Sequence, residues 1–172
     1  MSLEDWNRRY RAGEQLDQKH APLVERFAGR LPPGKALDLA CGPGRHALFL
    51  AERGWQVTAV DGSPIAIGHL GARASARNLP IDARLADLER GEFEIPADEY
   101  DLVIDFLYLQ RDLIPAIQRG TRPGGMIIAV ALISQQPTPT RVTPGELCAL
   151  FAGCKILHSL EREVAELVAI RL

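Results

Sequence analysis

Cysteine is scarce in this 172-residue chain, and its three copies, Cys41, Cys148 and Cys154, are odd in number and lack any CxxC spacing. That argues against a disulfide framework and against a cysteine-rich zinc site, so reduced thiols and a cytoplasmic location are expected. No apolar run approaches the roughly 20 residues that cross a bilayer, and the opening Met1-Ser2-Leu3-Glu4-Asp5 has neither the basic nor the apolar region of a secretory signal. No basic run exceeds a pair, and 20 Lys and Arg stand against 22 Asp and Glu for a net charge of −2. Neither nucleic acid nor an anionic membrane is therefore an expected partner. No acidic cluster suggests a catalytic metal, no internal repeat is present, and residues 134–140, SQQPTPT, are the one low-complexity patch. Hydrophobic residues make up 47% of the chain, enough at this length to bury the core of a single domain over residues 1–172.

What is present is concentrated in residues 36–63, ALDLACGPGRHALFLAERGWQVTAVDGS. Residues 36–40 suit a buried strand, Gly42-Pro43-Gly44 breaks it, and residues 45–53 follow a helical pattern. Glycine there permits positive φ and lets a ligand approach the main chain, beside unpaired N–H groups at the helix start. Residues 56–60 form a second strand, and Asp61 sits at its carboxyl end. Ligands of open parallel sheets collect at such ends, and a carboxylate there can accept both hydroxyls of a ribose. Gly42-Pro43-Gly44-Arg45-His46-Ala47 also satisfies the G-x-G-x-x-A form of dinucleotide folds, so spacing alone leaves two cofactors open. Asp38 ahead of the turn, Cys41 just before the first glycine and the shortness of the chain favour S-adenosylmethionine over a nicotinamide.

Along the chain, a helical piece at residues 3–10 precedes a polar loop at 11–19, and a helix at 22–30 leads to Pro32-Pro33-Gly34. Ser63-Pro64 caps and opens a helix to about Arg77, and residues 82–85 make a third strand. An acidic loop covers 87–99, residues 101–107 are a buried strand, 112–120 a helix with Pro115 inside it, and 126–132 a fifth strand entered through Pro123-Gly124-Gly125. Alternation of this kind implies a parallel sheet. At the end, 143–151 reads as a helix with a Thr143/Glu146 capping box, and 155–163 and 165–172 as two adjacent strands, necessarily antiparallel.

With these motifs in hand, the chain resembles the class I methyltransferases, most closely the small bacterial type grouped around the tellurite-resistance and thiopurine methyltransferases. LDLACGPGRHALFLAERGWQVTAVDGSP resembles that family's first two motifs, Ala86-Asp87-Leu88 its adenine-contacting turn, and Tyr100-Asp101-Leu102-Val103 with Arg122-Pro123-Gly124-Gly125 its fourth strand and the turn before its fifth. The resemblance spans residues 4–171. It implies a Rossmann-like α/β fold: a mainly parallel seven-stranded sheet closed by a C-terminal antiparallel hairpin, with helices on both faces. Residues 1–30 would form an N-terminal helical lid or cover, 35–132 the cofactor-binding core, and 143–172 the last helix and hairpin.

By the same resemblance S-adenosylmethionine is the cofactor. Its ribose would meet Asp61 and Gly62, and its methionine end Gly42, Gly44, the Ala40 carbonyl and, through water, Asp38. Its adenine would meet Ala86 and Asp87, with Asp105 completing the set. Trp6 and Tyr10 of WNRRY lie one helical turn apart and share a face; they serve either as hydrophobic cover or as an aromatic lid suited to a cationic sulfonium. Methyl transfer is an in-line displacement, and His46, Tyr108 and Arg111 are the candidates for a catalytic role, none in an arrangement that specifies a base. A small-molecule acceptor that is already ionised, a thiolate or a reduced chalcogen anion, would need least from such a site. A nicotinamide-dependent reductase or bare dinucleotide-binding module, and a cofactor binder without catalysis, remain the alternatives.

Overall fold

Ser2 begins the first helix with a reciprocal cap: its hydroxyl oxygen accepts the Asp5 N–H, and the Asp5 carboxylate accepts the Ser2 N–H at 2.9 Å. The computed structural model describes residues 1–172 and divides them into two compact units, Met1–Glu94 and Ile95–Leu172. The boundary falls inside the 35–132 span expected to form the cofactor-binding core. No helix is long and apolar enough to cross a membrane.

The first unit runs α1 (Leu3–Arg11), α2 (Pro22–Ala28), β1 (Lys35–Leu39), α3 (Arg45–Ala51), β2 (Gln56–Asp61), α4 (Pro64–Ala76) and β3 (Ile81–Leu85). β2 pairs in parallel with β1, Leu39 opposite Val60, and with β3, Asp61 opposite Leu85. Ala36, Leu37, Asp38 and Leu39 are all buried, the continuous burial of a parallel strand covered on both faces. Ser63 caps α4 as expected, its hydroxyl oxygen accepting the Ala66 N–H at 3.1 Å.

The second unit runs β4 (Tyr100–Phe106), a 3-10 turn (Arg111–Leu113), α5 (Ile114–Gly120), β5 (Thr121–Leu132), α6 (Glu146–Leu150), β6 (Cys154–Glu161) and β7 (Val164–Arg171). β4 and β5 are parallel, while β7 lies antiparallel to both β5 and β6. Among the boundaries that differ from the sequence reading, three have a plain structural reason. Pro115 is not internal to its helix: a 3-10 turn comes first and α5 starts at Ile114, so the proline occupies a first-turn position where no N–H is required. β5 begins at Thr121, because Thr121 pairs with Tyr100 before the register jumps to Met126 opposite Leu102, and the Arg-Pro-Gly-Gly stretch bulges between them. α6 starts only at Glu146. Thr143 lies outside it and donates both its N–H (2.8 Å) and its hydroxyl (3.0 Å) to Glu146, so only the glutamate half of the expected capping box forms.

Gly44, at φ +85°, delivers the chain into α3, and a Cβ built there would stand 2.3 Å from Cδ1 of the buried Leu70 on α4. Gly44→Ala is therefore expected to cost about 1–3 kcal/mol of stability. Because the clash is with Leu70, adding Leu70→Ala should make the double variant more stable than the sum of the singles by about 0.5–3 kcal/mol. Urea unfolding of the four proteins measures the coupling, and strict additivity would refute it.

Candidate functional site: the glycine turn and the acid after β2

The site grows from the end of β1. Ala40 takes φ +47° and Gly42 φ +55°, while the Cys41 N–H still donates to the Val60 carbonyl at 3.0 Å, so the turn stays fastened to β2 as it reverses. Asp61 ends β2, and each of its carboxylate oxygens accepts one main-chain N–H: Oδ2 from Gly42 and Oδ1 from Ser63, both at 2.8 Å. A carboxylate offers about four lone-pair positions, so these bonds occupy half of them and leave the others for donors from a ligand. Burial raises the Asp61 pKa, and the two N–H bonds oppose that rise. Asp38, 1% exposed on β1, accepts the Ala47 N–H at 3.1 Å and thereby holds the first turn of α3. Desolvation pushes its pKa up to about 7, against the lowering effect of that N–H and of nearby Arg45.

α1 lies across this turn as a strap. Buried Asn7 accepts the Ser63 hydroxyl proton at 2.5 Å, and His69 on α4 donates from Nε2 to the Tyr10 carbonyl at 3.2 Å. The phenol of Tyr10, 5% exposed, lies against Gly42: a Cβ there would stand 3.2 Å from its Oη and 3.3 Å from Gln15 Oε1. Trp6 stacks on Tyr10 with ring centroids 5.6 Å apart, and the Arg9 guanidinium lies over the indole at 4.6 Å. At the far side, a Cβ at Gly62 would meet Leu3 at 3.5 Å and the Asp87 main chain at 3.6 Å. The Ala86 N–H donates to the Asp61 carbonyl at 3.0 Å, and Asp87 Oδ1 accepts the Glu89 N–H at 3.0 Å. The first unit thus gathers every cofactor-binding candidate except Asp105.

Asp105 stands in the second unit, buried near the end of β4. Beyond it Leu107 takes φ +59° with its side chain exposed, and the Tyr108 hydroxyl donates to Gln110 at 2.7 Å. Arg111 is a staple. Its guanidinium binds Glu146 at 2.6 Å and the carbonyls of Thr138 and Arg141 at 3.0 Å, fixing the stretch that precedes α6 and, first among the causes, drawing the Glu146 pKa down to about 2. His46 is likewise engaged: it is 4% exposed, and its Nε2 accepts the Ala21 N–H at 3.3 Å at the start of α2. Burial pushes its pKa down to about 3, so the ring is neutral.

The sequence reading overlooked Asn7, although it stands three residues before Tyr10 on the same helical face, and it credited Ser63 with the cap alone. His69 reads from sequence as a surface or helix-face residue and Arg73 carries no signal at all, because nothing in their spacing shows that both reach back to main-chain carbonyls of the strap and the turn.

Residues 6–151 match the family model described as tellurite resistance protein TehB. The chain belongs to the TehB family. A probable S-adenosyl-L-methionine-dependent methyltransferase TehB of Haemophilus influenzae is 32% identical over 127 residues, 70% of this chain and 43% of that protein. The crystal structure of Haemophilus influenzae TehB superposes with a TM-score of 0.82 at 22% identity, covering 96% of this chain and 67% of that one. A Burkholderia thailandensis 1,6-didemethyltoxoflavin N1-methyltransferase, solved with bound 1,6-didemethyltoxoflavin and S-adenosylhomocysteine, gives 0.75 at 20% identity over 98% of this chain and 86% of its own. The fold is that of the class I methyltransferases, seven strands, mainly parallel, with a C-terminal antiparallel hairpin. The chain spans about two fifths of the length of the curated TehB relatives it matches.

The neutral, buried His46 gives stability a defined pH dependence. Below its ordinary value of 6.5 the unfolded chain takes up a proton that the native ring refuses down to about 3, so stability falls with pH across that window. The slope approaches about 1.4 kcal/mol per pH unit. Asp38, with a raised pKa, works in the opposite sense, so the informative quantity is the difference in urea stability between the parent and His46→Gln at each pH from 4 to 8. That difference should shrink steadily as the pH drops below 6.5; a constant difference would contradict the assignment.

Proposed function

We propose that this chain is an S-adenosylmethionine-dependent methyltransferase acting on a small molecule, with a thiolate or reduced chalcogen anion as the acceptor. The observation that carries the reading is Asp61: a carboxylate at the end of β2 that locks the glycine turn with half of its lone pairs and keeps the other half for hydroxyl donors. Family membership supports the same cofactor. Bound at this turn, the cofactor supplies an electrophilic methyl group on a sulfonium.

The chain's own contribution is binding, orientation and exclusion of water. Asp61 would hold the ribose hydroxyls, Asp87 the adenine amino group and the Ala40 carbonyl the methionine ammonium, while the Ala86 N–H, expected to read the adenine ring, is spent on the Asp61 carbonyl. Tyr10 and Trp6 set aromatic faces beside the turn, where a cation is favoured by the ring quadrupole. Holding two reactants collinear can supply about 7–11 kcal/mol of the barrier, so a site without a dedicated base suffices when the acceptor arrives ionised. His46 and Arg111 support that view of the acceptor, since the first already accepts a main-chain proton and the second is bound to Glu146. The scarcity of cysteine and its lack of pairing support a reducing, cytoplasmic setting.

Calorimetric titration with S-adenosylhomocysteine and, separately, with NADH tests the reading directly. Binding of the first alone is expected, and binding of NADH alone would overturn it. Asp61→Ala should weaken S-adenosylhomocysteine by about 1.5–3 kcal/mol, roughly 10- to 150-fold, in a protein that still unfolds cooperatively. Unchanged affinity in such a folded variant would remove Asp61 from the site.

A further inference from the structure

A cavity of about 540 Å³ opens in the first unit between the 16–20 segment, α3 and α4. Its lining includes none of Asp38, Gly42, Asp61 or Asp87, so it is distinct from the pocket assigned to the cofactor. Four permanent cations, Lys19, Arg45, Arg73 and Arg77, face two carboxylates, Asp17 and Glu52, and Arg77 already neutralises Glu52 at 2.8 Å. A chain of net charge −2 thus concentrates positive charge in one concavity large enough for a small metabolite. Arg73 donates to a neutral oxygen, the Pro43 carbonyl at 2.9 Å, with the Asp17 carboxylate nearby, and Gln18 Oε1 is one partner of Arg45 at 3.0 Å. Their bonds to a ligand oxyanion would be charge-assisted on both sides, and so roughly twice as strong.

Two lining residues also reach the candidate site. Arg73 grips the Pro43 carbonyl inside the glycine turn, and His69 grips the Tyr10 carbonyl in the strap. We propose that this cavity binds a small oxyanion, a polycarboxylate or a phosphate, and that its occupancy weakens cofactor binding by drawing Arg73 away from the glycine turn. The coupling rests on the cofactor reading above, whereas anion binding stands on the cavity alone. By linkage the effect is reciprocal: S-adenosylhomocysteine weakens the anion by the same factor.

The test uses calorimetry at constant ionic strength in chloride. Citrate and inorganic phosphate are titrated separately, and S-adenosylhomocysteine is then titrated with and without the anion that binds. One-site saturation is expected with at least one of them, and the better of the two tells a carboxylate ligand from a phosphorylated one. The affinity should fall at least tenfold in Arg73→Gln and measurably in Lys19→Gln, an exposed change that spares the turn. Saturating anion should weaken S-adenosylhomocysteine about five- to tenfold. No saturable binding of either anion, binding indifferent to both substitutions, or a cofactor affinity unmoved by saturating anion would each overturn the proposal. Failure of S-adenosylhomocysteine to bind the anion-free protein would instead overturn the proposed function and the coupling with it, while anion binding is still read from the first titration.

Discussion

The carboxylate of Asp61 is the constraint on which the site depends. It accepts main-chain protons from Gly42, in the turn that leaves β1, and from Ser63, which caps α4, so one side chain ties together two connections 21 residues apart in sequence. Both connections have main-chain groups that need partners if buried, and the acid supplies them. An amide in its place would present a donor to one of these N–H groups. The acid is therefore required by the turn before any ligand is considered, and its binding capacity is what the turn leaves over.

The same economy governs the other polar groups in the first unit. Asp38 is buried because it completes α3, His46 because it completes the start of α2, and each carries a pKa displaced by desolvation. Displaced pKa values often mark functional groups, yet structural networks produce them as well. Here each displaced group has a backbone duty: Asp38 and His46 each satisfy one main-chain N–H, and Asp61, at the end of β2, satisfies two. Arg111 is a further case, a cation on a short turn whose guanidinium organises the proline-rich stretch before α6.

The alternation of apolar strands with helices, the glycine turn and the terminal hairpin were legible because each is written in local pattern, periodicity or obligatory backbone geometry. Two boundaries move for different reasons: Thr121 joins β5 because it pairs with Tyr100 across a bulge, and α6 starts late because Gly145 just ahead of it takes a left-handed φ of +80°. Within the site, Asp61 and the glycines could be read from spacing. Asn7, His69 and Arg73 could not, since their roles arise from main-chain carbonyls or hydroxyls that tertiary packing brings to them. The resemblance to methyltransferases carried the fold further than periodicity alone, and it left the use of the α3–α4 face unmarked.

The strap has two anchors, Asn7 to Ser63 and Tyr10 to His69, and both partners belong to α4 or its cap. Because the anchors are three residues apart on one helix, each holds α1 to α4, and loss of one leaves the other in place. Under the proposed function, a cofactor that passes beneath α1 would need both anchors to break; turnover on a fast acceptor would then be limited by that detachment, and two acceptors of very different reactivity would reach the same ceiling.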